Sequence, residues 1–537
     1  MADHSALLQR LRTFVNSEHA SQLANLERQW QLPLGERVMR GYAIEGLTVE
    51  NFKDGTARLR CRNNESRFRE GDFLVLHRST PLGLEAAQVL LEYDDETVLD
   101  VAVQSGNPFL LQNEPEGWIA DESMLDLRQF HLDALDEVAD SLRGRDTILP
   151  MLSGERIPKI DYARHERACE AARRAGLNET QAEAVAQAYA TDLYHLIQGP
   201  PGTGKTCVLA QLVRLLVADG YRVMVSALTH RAINNALNKI YELDPMLPVC
   251  KVGLASHAAD LKVPNYENFA ESEFGDLAKG YVVGGTPFAL RTRKRLGGVE
   301  FDAILFDEAS QITLPLAIMG MLSANRYVFI GDERQLPPVS SLRSKNGNTS
   351  IFGYLSGRGT ETMLTTTYRM NDVLSRWPSR EFYDGRLVPD PKTAARRLEL
   401  RETDGVWDHV LDPDEPAIFI DLGHRGNTTR SHKEAETITE LIQSLLYAGV
   451  PAGQIGVVVP YRAQGRLIRS QLRESLGNDP LAREIVVDTV ERMQGQEREV
   501  ILVGSSQVLK AEPADAEQRA WVELLGSLLA GCKTVVI

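Results

Sequence analysis

The chain has 537 residues, 43% of them hydrophobic and 25% charged, with a formal net charge of −15. That length allows roughly three or four domains with buried cores, and the composition is that of an ordinary soluble globular protein. A body this acidic does not attract a polyanion as a whole, so any nucleic-acid site must be a local basic groove.

There is no run of about 18 apolar residues, and the opening MADHSALLQRLRTF lacks the apolar region of a secretory signal. The expected compartment is therefore the cytoplasm, with no membrane partner. The five cysteines, Cys61, Cys169, Cys207, Cys250 and Cys532, include no CxxC pair. This argues against a disulfide framework, a structural zinc site and an iron–sulfur cluster.

In chain order, residues 1–40 carry helical periodicity and read as a helical stalk. Over 41–120, short segments such as TARLRCR, DFLVLHRS, AAQVLLEY and TVLDVAV are separated by turn residues such as Asp54-Gly55. They predict a small β-barrel accessory domain of about five strands. Residues 121–163 read as a further stalk helix followed by an irregular linker with Pro150 and Pro158. From 164 to 360, apolar strands alternate with amphipathic helices: YHLIQ, YRVMVSAL, FDAILFDEAS and RYVFIGD. A second such series, with PAIFIDLG, QIGVVVPY, EIVVDTV and EVILVGSS, fills 361–537. The fold class is α/β, with two tandem parallel-sheet units.

The stretch IQGPPGTGKT at 197–206 lies between an apolar strand and a helix. Gly199, Gly204, Lys205 and Thr206 fit the phosphate-loop pattern, and strand–loop–helix is the context that pattern requires. In such a loop, backbone N–H groups and the helix N-terminus surround phosphate oxygens. The segment Gly199, Pro200, Pro201, Gly202, Thr203, Gly204, Lys205, Thr206 is thus expected to hold a nucleoside triphosphate. Lys205 neutralises the β/γ oxygens and Thr206 ligates Mg²⁺. About 100 residues on, ILFDEAS ends an apolar strand in two acids: Asp307 for the metal and Glu308 to orient water.

GPPGTGKT, DEASQ and GDERQLPP (331–338) resemble motifs I, II and III of superfamily 1 helicases, in the branch that holds the nonsense-mediated-decay and Dna2-like helicases. LNETQ (177–181), SALTHRAINNAL (226–237), VVGGTPFAL (282–290), TTTYRM (365–370), VVVPYRAQ (457–464) and VDTVERMQGQE (487–497) are similar to further motifs of that family. WQLPLGERV at 30–38 is similar to the entry to its accessory barrel. The resemblance implies two RecA-like domains with ATP and Mg²⁺ in the cleft between them. It implies that Gln181 reads the adenine, Gln335 senses the γ-phosphate, and Arg369 and Glu497 reach the nucleotide from the second domain. It implies single-stranded DNA or RNA contacts at Thr229, His230, Gly285, Thr286, Tyr461, Thr489 and Gln494, and 5′→3′ stepping driven by hydrolysis.

Three features stay open on the residues alone. RTRKRLGG (291–298), beginning with Arg291, is the densest basic cluster; it is either a phosphate contact or a solvated face. Tyr461 and His230 either stack on bases or pack internally. The barrel is a nucleic-acid contact, a protein-partner contact or a spacer.

The family's final motif carries a Thr-Arg-x-Arg run, whereas no arginine follows Arg519 here, although CKTVVI reads as a last strand. Arg519 and Lys533 are the possible substitutes. The expected activity is therefore an ATP-dependent translocase or helicase. The alternative is an ATP-controlled nucleic-acid clamp or regulatory subunit with weak turnover, a missing arginine coming from a partner chain.

Overall fold

The structure is a computed structural model that describes residues 4–504 and the backbone of 532–536. Excepted within that span are 63, 65, 69, 96, 259, 278, 293–294, 339, 341–348, 402–404, 424–429, 478–480, 490–492 and 494–497. Contacts divide the chain into two compact units: Arg12–Gln129 with Ser340–Arg343, and Met1–Leu11 with Phe130–Val339 and Ser344–Ile537.

The smaller unit holds a closed barrel of strands β1 (Ala43–Lys53), β2 (Thr56–Arg60), β3 (Phe73–His77), β4 (Ala87–Asp94), β5 (Val98–Ser105) and β6 (Trp118–Glu122), in the order β1-β2-β5-β4-β3-β6. Its interior is apolar, with Leu47, Leu76, Val89, Val101 and Trp118 fully buried. The sequence suggested about five strands; the sixth is WIADE, which pairs with both β1 and β3 and closes the barrel. It was hidden because its Asp121 is buried where the alternation calls for an apolar residue. The Asp121 Oδ2 accepts hydrogen bonds from Arg37 NH1 at 2.6 Å and from His77 Nε2 at 2.7 Å, which meets the need of a buried carboxylate for partners.

In the larger unit, the segment read as an irregular linker after residue 144 is instead partly helical. A π-helical turn spans Gly144–Ile148, and a short helix, Leu149–Ser153, follows. Pro150 lies in the first turn of that helix, where its missing N–H has no intrahelical partner to lose.

An eight-stranded sheet follows the order β10-β9-β11-β8-β12-β13-β7-β14. Its strands are β7 (Tyr194–Gln198), β8 (Arg222–Ser226), β9 (Val249–Val252), β10 (Asn265–Tyr266), β11 (Tyr281–Gly284), β12 (Ala303–Phe306), β13 (Tyr327–Gly331) and β14 (Glu361–Met363). Every pairing is parallel. β7, β9, β11, β12 and β13 are buried at every position, as in a parallel sheet covered on both faces, and the burial takes in the polar His195, Gln198 and Lys251. The strand at 361–363 completes this first sheet.

After a two-stranded pair, β15 (Thr366–Thr367) and β16 (Val388–Pro389), comes a second parallel sheet in the order β17-β21-β20-β18-β19. It consists of β17 (Ala417–Ile418), β18 (Ile455–Val459), β19 (Val486–Thr489), β20 (Arg498–Val503) and β21 (Cys532–Val536). The segment Cys532–Val536 is thus a strand, paired with β17 and β20. Among the described residues no helix is long and apolar enough to cross a membrane.

Candidate nucleotide and nucleic-acid site

In open parallel sheets, ligands bind beyond the carboxyl ends of the strands, and the predicted site residues lie there. The loop 199–204 leaves β7 and enters the helix Lys205–Ala218. Asp307 follows β12, and Asp332–Gln335 follow β13. Since β12, β13 and β7 are adjacent, three neighbouring strand ends carry these groups side by side. The tie is direct: Gly199 N donates to the Gly331 carbonyl at 2.8 Å.

Two glycines of the loop are dictated by geometry. Gly204 caps the helix at φ +81°, and a Cβ there would lie 2.7 Å from Gln181 Nε2. At Gly202, φ +72°, a Cβ would fall 2.5 Å from the Arg369 Cβ and 2.7 Å from Thr367 Oγ1. Gly202 is therefore the point where the TTTYRM segment seats on the loop. Three hydrogen bonds seat it. Thr367 Oγ1 donates to the Pro201 carbonyl at 3.1 Å and Tyr368 N to the Gly202 carbonyl at 2.8 Å. Asn178 Nδ2 donates to Tyr368 OH at 2.8 Å. Gly202→Ala is expected to cost about 1–3 kcal/mol through backbone strain at this φ and to unseat residues 366–369; a lower melting temperature with weakened nucleotide affinity is the check.

The LNETQ segment is a capping box. Asn178 accepts from Gln181 N, and Gln181 Oε1 accepts from Asn178 N. The remaining Gln181 amide group donates to the Thr203 carbonyl at 2.9 Å, so Gln181 is held against the loop. Lys205 Nζ donates to the Gly199 carbonyl at 2.7 Å, and Thr203 Oγ1 to the Pro200 carbonyl at 2.6 Å. Thr206 is the second residue of the following helix.

Asp307 is buried, and desolvation raises its carboxyl above the usual carboxylate range. The adjacent Glu308 adds to the rise, and Lys205 opposes it. Glu308 Oε2 is buried with no hydrogen-bond partner among the described residues. A dication beside these two acids would offset both the raised Asp307 carboxyl and the unpartnered Glu308 oxygen, so the acids fit Mg²⁺. Glu308 also stands at φ +51°, a left-handed conformation that costs a non-glycine residue energy and that concentrates at functional sites. Gln335 does not point freely at a ligand: its Nε2 donates to Asp332 Oδ2 at 2.6 Å.

The residues implied for nucleic acid divide between the two sheets. Thr229 follows β8 and caps the helix His230–Leu243. Gly285 and Thr286 follow β11, where Thr286 caps a short helix. Both pairs stand on the opposite half of the first sheet from β7, also at carboxyl ends. Tyr461 follows β18 and Thr489 ends β19, at the carboxyl ends of the second sheet. Gln494 and Glu497 lie outside the described residues, as does Arg519.

Packing bears on two of the readings left open. The His230 ring stacks on His257 with centroids 4.1 Å apart. Burial, His257 and Lys251 together push its pKa down to about 3, so it brings no charge near neutral pH. Arg291 pairs with Glu137 at 2.7 Å and is mostly shielded, while Glu137 is exposed.

Lys251 was not foreseen from residue type or spacing. It is fully buried in β9, donates to Asn234 Oδ1 at 2.7 Å and to the His257 carbonyl, and is pushed down by burial to about 8. Also unforeseen were Gln198, Asp332 and Tyr383, described below.

A β-strand–loop–helix phosphate cradle with acids at the end of the next strand but one defines a P-loop α/β protein. Two models described as AAA domain match residues 176–387 and 348–514. The DNA replication ATP-dependent helicase/nuclease DNA2 of Xenopus laevis is 31% identical over 373 residues, covering 61% of this chain and 34% of that protein. The Saccharomyces cerevisiae DNA2 is 27% identical, covering 67% of this chain and 26% of its own. The DNA polymerase alpha-associated DNA helicase A of Schizosaccharomyces pombe is 28% identical, covering 61% and 58%. The chain spans about a third of the length of the DNA2 relatives it matches. Among solved structures, the crystal structure of Arterivirus nonstructural protein 10 (helicase) aligns with 94% of this chain and 79% of that chain at 13% identity and a TM-score of 0.41. In its motifs and in these relatives, the chain is similar to the Dna2-like superfamily 1 helicases.

Proposed function

We propose that the chain is an ATP-dependent translocase or helicase that moves 5′→3′ on a single strand, with DNA favoured over RNA by the relatives' names. One observation carries the reading: the phosphate loop, Asp307–Glu308 and the Asp332–Gln335 turn end three adjacent strands, and the TTTYRM segment is seated on that loop.

Lys205 and the loop amides bind the phosphates, and Gln181 keeps the loop in shape. Thr206 and Asp307 would hold Mg²⁺, which supplies charge neutralisation at the phosphate oxygens. Glu308 orients the attacking water, Gln335 lies on the γ-phosphate side, and Arg369 stabilises charge on the transferring group. The Thr229 and Thr286 turns grip the strand backbone from the first sheet, and Tyr461 and Thr489 from the second. Opening and closing of the cleft moves one grip relative to the other.

Steady-state ATP hydrolysis measured with and without single-stranded DNA tests this. Strong stimulation is the expected result; ATP-dependent retention of the strand without turnover would favour a clamp.

Binding by local cations on a body of net charge −15 should weaken steeply with salt. Arg291 is already paired and Arg295 is not part of that pair. Arg295→Ala is therefore expected to flatten the slope of log affinity against log salt by roughly 0.7, and Arg291→Ala to leave it unchanged. Titration of a labelled oligonucleotide at several salt concentrations decides it; the reverse pattern would contradict the placement of Arg291.

A further inference from the structure

Asp332, directly after β13, is completely buried. Its carboxylate accepts from four donors. Gln198 Nε2 and Arg334 N reach Oδ1, the latter at 3.1 Å; Gln335 Nε2 and the Tyr383 hydroxyl reach Oδ2, at 2.6 and 2.7 Å. That fills the roughly four acceptor positions a carboxylate offers. Because a carboxylate only accepts, the Gln335 amide must turn its nitrogen inward, which sets Oε1 as the outward acceptor.

Three of these donors belong to the first sheet's own strand ends. Tyr383 does not. It follows the helix Asp372–Phe382, and its ring packs in a cluster with Met370, Leu374, Val458, Ile501 and Val503, which includes residues of β18 and β20 of the second sheet. Its hydroxyl is thus an arm from the second sheet's core onto the carboxylate that holds Gln335. Burial and the facing Asp332 raise the phenol far above its usual range, so it remains a donor at any working pH.

We propose that Tyr383 is a positioning residue that couples the placement of the second sheet to the orientation of Gln335 through Asp332, so that the amide on the γ-phosphate side is set only when the two sheets are correctly placed. This rests on the ATPase reading above. The hydroxyl touches no reacting atom. Its loss leaves Asp332 one donor short and loosens the hold on Gln335, at the cost of about one hydrogen bond in the transition state.

The test is a cycle of the parent, Tyr383→Phe, Gln335→Ala and the double variant in steady-state hydrolysis with single-stranded DNA. Phenylalanine keeps the packed ring. Tyr383→Phe is expected to lower kcat about 5- to 10-fold, the scale of one hydrogen bond, with KM for ATP within about twofold. In the Gln335→Ala background it should cause no further loss, because the group it positions is gone. An unchanged kcat, or a loss that multiplies with that of Gln335→Ala, would overturn the proposal.

A parent that does not hydrolyse ATP would instead sink the ATPase reading. The relay is then judged on retention of ADP with aluminium fluoride by the same four proteins. Equal, non-additive losses support it, and independent losses overturn it.

Discussion

Lys205→Ala is expected to abolish ATP hydrolysis, by a factor on the order of 10²–10³ or more, the scale of losing one fixed charge-stabilising donor. The physical reason lies in what the ammonium does in the folded chain. It sits where the loop turns into the helix Lys205–Ala218, and it donates a hydrogen bond to the Gly199 carbonyl. A cation held over a loop of backbone amides serves the ligand more than the fold. Stability should therefore fall by no more than about 1 kcal/mol, the usual net worth of a hydrogen bond. Thermal unfolding and ATPase measured on the same preparation separate the two. A folded variant with parental turnover would remove the phosphate loop from the mechanism.

Glu308→Gln is the second large effect. The substitution keeps size and backbone and leaves Asp307 to the metal, but removes the carboxylate that orients water, a contribution of about 10²–10⁴ in rate. The variant should bind ATP and hold the strand without turnover. Glu308 also stands at φ +51°, and that gives a second outcome with the opposite sign. Glu308→Gly should raise stability by about 1 kcal/mol through relief of the left-handed strain, while losing turnover as Glu308→Gln does. Strain retained for chemistry gives this pairing; a structural acid at a strand end would give a stability loss and normal hydrolysis. Denaturant midpoints and initial rates on the two variants distinguish them.

Much of this site was legible because its chemistry is local in sequence. Apolar runs that end in glycines or acids, as in YHLIQ before the loop and AILF before Asp307, mark strands whose carboxyl ends carry ligand groups. Two parallel sheets followed from the alternation of strands and helices. What was not legible depends on partners distant in the chain. The closing barrel strand was masked by Asp121, whose partners Arg37 and His77 lie 84 and 44 residues away. Lys251 in VCKV gives no hint of burial until Asn234 and the His257 carbonyl are brought to it. Arg291 belongs to a basic run, and its pairing with Glu137, far away in the chain, has no signature there. The positive φ of Glu308 and the link from Tyr383 to Asp332, 51 residues apart, are products of packing with no signature in residue type.

The central claim is that hydrolysis at the phosphate loop drives movement along a strand. It is met most directly by displacement of a labelled strand from a short DNA duplex bearing either a 5′ or a 3′ single-stranded tail. The parent with ATP and Mg²⁺ should displace from the 5′-tailed duplex. It should not do so with a non-hydrolysable ATP analogue, nor as Lys205→Ala. Displacement that proceeds without hydrolysis, or that survives Lys205→Ala, would contradict the account.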